Sequence, residues 1–142
     1  ARGIGVATGR PVIGLLTTEV IAAEARNESS QSIAVAIDAR RAEVYLQCFA
    51  ATGSATGAPV CLLPEDAAKS LSDQAWILVG DGAARVQPHA GSSVVLGDFT
   101  VANAVVLAQL AATRPIPQTP PGPVYVRPPD AIAPKHGGRL RP

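Results

Sequence analysis

The stretch SIAVAIDARRAEVYLQCF, residues 32–49, decides the class of fold that this sequence predicts. Ile33, Val35 and Ile37 alternate with alanines, which is the period-two pattern of a β-strand. Residues 38–42 follow as a polar turn, and residues 44–49 contain the β-branched and aromatic side chains typical of a second strand. The stretch therefore predicts a β-hairpin.

Further strands and helices are predicted on both sides of the hairpin. Short apolar runs predict strands at residues 11–16, 60–63, 75–79 and 94–96, the first of them buried on both faces. Helical patterns cover residues 19–26, a segment that opens at Pro64, a segment after Gly82, and residues 101–113. Strands that alternate with helices, together with one hairpin, predict an α/β protein with a mixed sheet and flanking helices.

Two of these helices carry more detailed expectations. Thr17 or Thr18 is expected to cap the helix at residues 19–26, because a hydroxyl can accept a free backbone N–H. In the helix at residues 101–113, the inner side is expected to contain Val105, Leu107, Ala108, Leu110 and Ala111.

The composition excludes several classes of protein. The chain has 142 residues and a net charge of +1, so its overall charge favours neither nucleic acid nor an anionic membrane as a partner. No apolar run approaches the roughly 18 residues that a membrane span needs. The 2 cysteines, Cys48 and Cys61, form neither a disulfide scaffold nor a zinc site. They are expected to be strand residues of the core, and their sparseness suits a reducing cytoplasm.

The first nine residues, ARGIGVATG, are interpreted as the last turns of a helix. Gly9 is expected to end that helix in a left-handed conformation, with Pro11 two residues beyond. Since the stretch contains neither an initiator methionine nor a residue that caps the start of the helix, we interpret the chain as a piece of a longer protein. A natural terminus after processing is the alternative.

Few residues could carry chemistry of their own. His89 and His136 lie far apart in the sequence, without the spacing of a metallopeptidase motif, and both are expected at the surface. Gly80-Asp81-Gly82 follows a predicted strand and precedes a predicted helix. Such a turn either presents backbone amides to an anion or is a tight connection that requires small residues.

Two other strings remain open in the same way. Residues 38–43, DARRAE, form either a solvated turn with a local Arg–Glu pair or an interaction surface. Residues 123–130, PVYVRPPD, alternate like an edge strand, and the flanking prolines confine the string to a sheet edge or an extended surface track. Tyr125 is expected to pack at least partly inward.

Four strings, in this order, resemble the TsaB (YeaZ) family. They are ARGIGVATGRPVIGLLTTEVIA, AIDARRAEVYLQCF, VGDGA and PVYVRPPDA. Members are partners of the universal tRNA threonylcarbamoyladenosine synthase and have the actin-like fold. The resemblance implies that residues 1–131 are the C-terminal actin-like lobe, with residues 1–9 the end of a helix from an N-terminal lobe. Residues 132–142 are expected to be a flexible tail.

The resemblance also implies where a nucleotide would bind. In actin-like ATPases the hairpin of the second lobe carries a glycine-containing phosphate loop, whereas this chain has Asp38, Ala39, Arg40 and Arg41 there. Side chains at these positions hinder the close approach of backbone amides to a phosphate. Gly80, Asp81 and Gly82 resemble a remnant of the adenosine-binding turn. The candidate cofactor-binding positions are therefore degenerate, and no catalytic residue, metal ligand or cofactor is expected, apart from weak ATP or ADP binding in a full complex.

The function implied by the resemblance is that of a non-catalytic scaffold and activator subunit. Its partners would be a catalytic TsaD-type subunit and a TsaE-type ATPase, with a homodimer as a further state, in the cytoplasm and away from membranes. Transfer RNA would be reached only through the complex. Family members contact the catalytic subunit mainly through helices of the N-terminal lobe. The alternatives are an ATP-binding hydrolase or peptidase-like enzyme of the same superfamily, and an inactive fragment.

Overall fold

The computed structural model of the chain describes residues 1–97 and 99–127. Five strands, five α-helices and one 3-10 turn are present in this part of the chain. In chain order they are α1 (Arg2–Thr8), α2 (Thr17–Ala25), β1 (Ile33–Asp38), β2 (Val44–Phe49), β3 (Val60–Leu62), α3 (Pro64–Ser70), β4 (Ile77–Val79), α4 (Ala83–Val86), a 3-10 turn (Gln87–His89), β5 (Val94–Val95) and α5 (Ala104–Thr113). The predicted hairpin is confirmed as β1 and β2.

The strands form one mixed sheet in the order β3-β2-β1-β4-β5. β1 pairs antiparallel with β2, from Ile33 opposite Phe49 to Asp38 opposite Val44, and β3 continues this meander. On its other side β1 pairs parallel with β4, and β4 pairs parallel with β5. The predicted α/β class with a mixed sheet is therefore confirmed.

Alternate side chains of the central strands enter two separate cores. On one face, Ala34 and Leu78 pack in a cluster with residues of α3 and α4. On the other face, Val35 and Val79 pack in a cluster with Ile21 and other residues of α2. The period-two alternation of β1 thus places its alanines against one helical layer and its larger side chains against the other.

Residues 11–16 do not form the predicted strand. They have no regular secondary structure, and each is exposed or half-buried. The backbone of Gly14 lies against Pro121, since a Cβ added at Gly14 would be 2.6 Å from the Cβ of Pro121. The apolar run therefore borders a proline-rich segment. Prolines lack the N–H donors that a β-ladder needs, so this contact cannot extend the sheet.

The start of α2 also differs from the expectation. Leu16 is the N-cap residue, and its N–H donates to the Oε2 of Glu19 over 2.9 Å. Thr17 and Thr18 are already helical. The hydroxyl of Thr18 is buried and donates to the Oε1 of Gln47 in β2. The carboxylate of Glu19 in the first turn, rather than a threonine hydroxyl, accepts the backbone N–H of the N-cap residue.

The last helix is packed only in part on its expected inner side, where Leu110 and Ala111 are half-buried. Val105 and Leu107 are 64% and 43% exposed, and every residue of α5 is exposed or half-buried. Polar contacts join the two ends of α5 to α2. Asn103 Nδ2 donates to Glu24 Oε1 over 2.8 Å, and Arg114 Nη2 lies 2.7 Å from Glu19 Oε1.

The proline-flanked string near the end is not an edge strand. Residues 123–127 have no strand conformation, and Tyr125 is 84% exposed rather than packed inward. The segment is attached through Arg127, which pairs with Glu43 and lies over the ring of Tyr45. Pro128, Pro129, His136 and the tail predicted at residues 132–142 lie outside the described residues.

The expectations for Gly9 and His89 are met. Gly9 ends α1 with a φ of 63°, and His89 is exposed. The free cysteines Cys48 and Cys61 lie on strands β2 and β3 as expected, but both are half-buried rather than core residues: Cys48 packs against a core cluster, and Cys61 lies near Arg127. None of the helices within residues 1–97 and 99–127 is long and apolar enough to cross a membrane.

Candidate functional site

The candidate nucleotide positions meet at one edge of the sheet. β1 and β4 are parallel neighbours, so the turn after β1 and the loop after β4 leave the sheet side by side. The backbone N–H of Asp38 donates to Asp81 Oδ1 over 2.8 Å. Two sequence motifs that are 43 residues apart are thus in direct contact.

Arg85, which the sequence did not single out, connects these two loops. Its Nη1 donates to Asp38 Oδ1 over 2.8 Å and to the carbonyl of Glu43 over 3.2 Å, and its Nη2 donates to the carbonyl of Ala42 over 2.6 Å. The guanidinium therefore binds both ends of the β1–β2 turn. Its position three residues after Gly82, on the first helical turn beyond the loop, is the only sequence signal.

The turn itself is held by Asp38. Its Oδ1 also accepts the N–H of Arg40 over 2.9 Å, and Arg40 has a left-handed φ of 61°. A left-handed conformation is uncommon for a residue with a side chain, and this contact compensates part of its cost. Arg40 and Arg41 are both exposed at the tip of the turn.

The two glycines of the loop after β4 are required by close packing. Gly80 has a φ of 102°, and a Cβ there would be 2.2 Å from the carbonyl oxygen of Ala36. The N–H of Gly82 donates to that same carbonyl over 3.0 Å, and a Cβ at Gly82 would be 3.0 Å from the carbonyl carbon of Ile37. The glycines let the loop cross directly over the end of β1.

These contacts limit what the arrangement can do chemically. The N–H of Gly82 is bonded to Ala36, and the N–H of Ala83 donates to the carbonyl of Gly80 over 3.1 Å. Both amides therefore face internal carbonyls. The geometry favours the interpretation of Gly80-Asp81-Gly82 as a tight turn. Nucleotide binding at the six candidate positions stays a prediction; these are Asp38, Arg40, Arg41, Gly80, Asp81 and Gly82.

A second ion pair lies beside the first. Glu43 pairs with Arg127, whose Nη2 is also 3.7 Å from Cys61 Sγ and whose guanidinium carbon lies 5.9 Å from the centroid of the Tyr45 ring. The side chain of Arg127 is only 18% exposed. This contact fixes the end of the described chain against β2 and β3.

The thiol of Cys48 is not an activated nucleophile. Burial, with a smaller contribution from the negative charge of Asp73, raises the pKa of the Cys48 thiol to about 11. A thiol with a raised pKa is protonated at neutral pH and reacts slowly. Within residues 1–97 and 99–127, no group of three His, Cys, Asp or Glu side chains could hold a metal ion.

Comparison with known proteins gives two informative likenesses. One solved structure, an uncharacterized protein with similarity to peptidase YeaZ from Pseudomonas aeruginosa, is 27% identical with a TM-score of 0.70, over 89% of this chain and 63% of that one. YeaZ from Pseudomonas aeruginosa is 28% identical with a TM-score of 0.66, over 78% of this chain and 55% of that one. No protein-family model and no curated protein sequence matches the chain.

The fold and the comparisons together define an α/β protein with a mixed five-stranded sheet and flanking helices, of the YeaZ type. The resemblance to the TsaB (YeaZ) family inferred from the sequence is confirmed at this level. The chain spans 63% and 55% of the lengths of the two proteins that it resembles.

Proposed function

We propose that the chain forms the C-terminal lobe of a TsaB-type subunit that acts as a non-catalytic scaffold of the tRNA threonylcarbamoyladenosine synthase. The likeness to YeaZ, at 27–28% identity over most of this chain, supports the proposal. The sequence strings that resemble the family, above all the hairpin and PVYVRPPDA, support it independently of the comparisons.

The observation that carries the non-catalytic part of the proposal is the internal use of polar groups at the strand ends. An ATPase of this fold would direct backbone amides of the hairpin turn toward phosphates. In this chain Asp38 binds Arg85 and the N–H of Arg40, while Asp81 accepts the N–H of Asp38. The groups that would meet a nucleotide instead hold the two loops together.

The proposed partners follow from the resemblance. They are a catalytic TsaD-type subunit and a TsaE-type ATPase, and tRNA is contacted only through their complex. In this proposal the subunit acts in the cytoplasm, holds no cofactor by itself, and forms a homodimer when the catalytic subunit is absent.

An enzyme of the same superfamily is the second candidate, because one neighbour is described as similar to a peptidase. An ATP-hydrolysing or peptidase-like protein would need an activated nucleophile or a bound nucleotide. The raised pKa of Cys48, about 11, makes that thiol a poor nucleophile at neutral pH. We therefore favour the scaffold.

Reconstitution of tRNA modification separates the two candidates. The 142-residue chain, and the same chain joined to the N-terminal lobe of a YeaZ-type protein, would be added to the catalytic subunit, the ATPase and tRNA, and modified adenosine would be measured. We expect formation of the product to depend on the two-lobed protein and to be unchanged by Arg40→Ala, because that side chain is exposed at the turn. Hydrolysis of ATP or of a peptide by the chain alone, lost in Arg40→Ala, would favour the enzyme.

A further inference from the structure

A groove on the α2 side of the sheet has the features of a small-molecule site. It encloses about 530 Å³ between α2, the end of α5 and the loop that follows β2. Ligand pockets commonly have volumes of roughly 300–1,000 Å³. The residues that line this groove include none from the turns around Asp38 and Asp81. It is therefore distinct from the candidate site described above.

The spacing of side chains along α2 shapes the groove. Glu19, Ala22, Ala23 and Arg26 share one helix face, with a charged residue at each end and two alanines between them. Seven residues of helix rise about 10 Å. Because the alanines are small, the helix surface is open between the charges, and Phe49 from the sheet closes the floor. The groove is thus an elongated channel, lined by polar and apolar groups in similar measure, whose apolar part lies between the charged ends.

At one end of the groove, both carboxylate oxygens of Glu19 already have partners within the protein. Glu19 Oε1 lies 2.7 Å from Arg114 Nη2, and Glu19 Oε2 accepts the N–H of Leu16 over 2.9 Å. This end carries a matched positive and negative charge, so it offers little to a charged ligand.

The end at Arg26 is different. Within the described part of the chain, its guanidinium makes two hydrogen bonds, both to the carbonyl of Ala50, over 3.5 and 3.4 Å. These distances exceed the usual range, and an arginine has five N–H donors. Gly53 packs beside the guanidinium, since a Cβ at Gly53 would be 3.0 Å from Arg26 Nε. The guanidinium is thus half-buried at the groove, held by two long bonds, and most of its N–H donors have no protein partner within residues 1–97 and 99–127.

We propose that this groove binds a small organic carboxylate with an aliphatic body. The carboxylate takes the planar guanidinium of Arg26 through charge-assisted hydrogen bonds, for which arginine and carboxylate geometry match. The aliphatic body lies along Ala22 and Ala23 beside Leu110, where it displaces water from apolar surface. The excess of positive charge in the groove, two arginines against one glutamate, agrees with an anionic ligand. This binding activity is additional to the proposed scaffold role and independent of it.

Calorimetric titration of the 142-residue chain with octanoate tests the proposal, with 1-octanol as the uncharged probe. We expect saturable binding of octanoate, and affinity at least about tenfold weaker in Arg26→Gln, since that change removes the charge that strengthens the hydrogen bonds to the carboxylate. Ala23→Leu fills the groove without touching the charge, and it is expected to abolish binding. Arg10→Gln, which changes an exposed arginine outside the groove, is expected to bind as the parent does.

Several results would overturn the proposal. These are the absence of octanoate binding, equal affinity for octanoate and 1-octanol, and an unchanged affinity in Arg26→Gln. Thermal unfolding of each variant shows whether it is folded. If Ala23→Leu fails to fold, the comparison of Arg26→Gln with Arg10→Gln still decides the result.

Discussion

Asp38 Oδ1 lies 2.8 Å from Arg85 Nη1, although the two residues are separated by 47 positions in the chain. The pair joins the turn at the end of β1 to the helix that follows β4. Since Arg85 also donates to the carbonyls of Ala42 and Glu43, one guanidinium closes the whole turn. The edge of the sheet that carries the candidate nucleotide positions is therefore stabilised by bonds within the protein.

Replacement of Arg85 by alanine is expected to lower the free energy of unfolding by about 1–2 kcal/mol. The side chains of Arg85 and Asp38 are 33% and 31% exposed, so solvent weakens the ion pair, and the bonds to two carbonyls account for much of the loss. Arg85→Lys is expected to retain only part of the stability lost in Arg85→Ala, because an ammonium group cannot reproduce the planar set of N–H donors of a guanidinium. Urea unfolding measures the difference. Lys69→Ala, which removes an exposed ion pair with Asp66, is the control. If Arg85→Ala lowers the free energy of unfolding no more than Lys69→Ala does, the prediction is contradicted.

Gly80→Ala is expected to destabilise the protein by about 3 kcal/mol or more. The added Cβ would be 2.2 Å from the carbonyl oxygen of Ala36, and the φ of 102° is strained for any L side chain. Gly57→Ala is the matched control, because a Cβ there has no atom within 4 Å. Its effect is expected to stay within about 0.5 kcal/mol. Similar unfolding midpoints for the two variants would show that the loop can move away from β1.

Cys48 is expected to resist alkylation in the folded protein. Its pKa is raised from 9.0 to about 11, so at pH 8 its thiolate fraction is lower than in the unfolded chain by about 100-fold. The Cys61→Ser variant isolates this thiol, and the rate with iodoacetamide would be compared with and without urea. Equal rates in the two conditions would contradict the burial of the thiol.

The same shift predicts how stability depends on pH. The folded state holds the proton of Cys48 more tightly than the unfolded state, so this contribution is fully present below pH 9 and is lost as the pH rises toward 11. Cys48→Ala is expected to reduce this loss between pH 9 and 11.

The sequence predicted the architecture well where local patterns act alone. The alternation in residues 33–37 and the proline and acids at the start of α3 each identify an element without knowledge of the rest of the fold. The strand predicted at residues 11–16 was wrong, because a continuous apolar pattern does not identify the segment that it packs against. Here part of that segment is rich in proline.

The candidate site was predicted only in part. The sequence placed Asp38 and Asp81 after strands that turned out to be parallel neighbours, but it gave no reason to choose Arg85. A link between an arginine and an aspartate 47 residues away depends on the strand order, which local patterns do not contain. The expectation that Tyr125 packs at least partly inward failed for the same reason. The partner of an edge strand is set by the tertiary fold, and Tyr125 is exposed.

Recovery of the catalytic TsaD-type subunit is expected to be poor with the 142-residue chain alone. The resemblance assigns most of that interface to helices of an N-terminal lobe, and a standard interface buries about 800 Å² on each partner. α1 offers Ile4 and Val6, which are 70% and 85% exposed, but only two helical turns. A pull-down at micromolar concentration would compare this chain with the two-lobed protein. Equal recovery would place the partner surface on this lobe.

Titration of the 142-residue chain with ATP and Mg²⁺ in a calorimeter tests the non-catalytic account most directly. Because Asp38, Asp81 and the N–H of Gly82 are engaged in internal hydrogen bonds, we expect no heat of binding at micromolar concentrations. The Arg40→Ala variant serves as a control, and it should give the same flat titration. A micromolar affinity of the chain for ATP would contradict the account, and a weaker affinity in Arg40→Ala would locate the nucleotide at this turn.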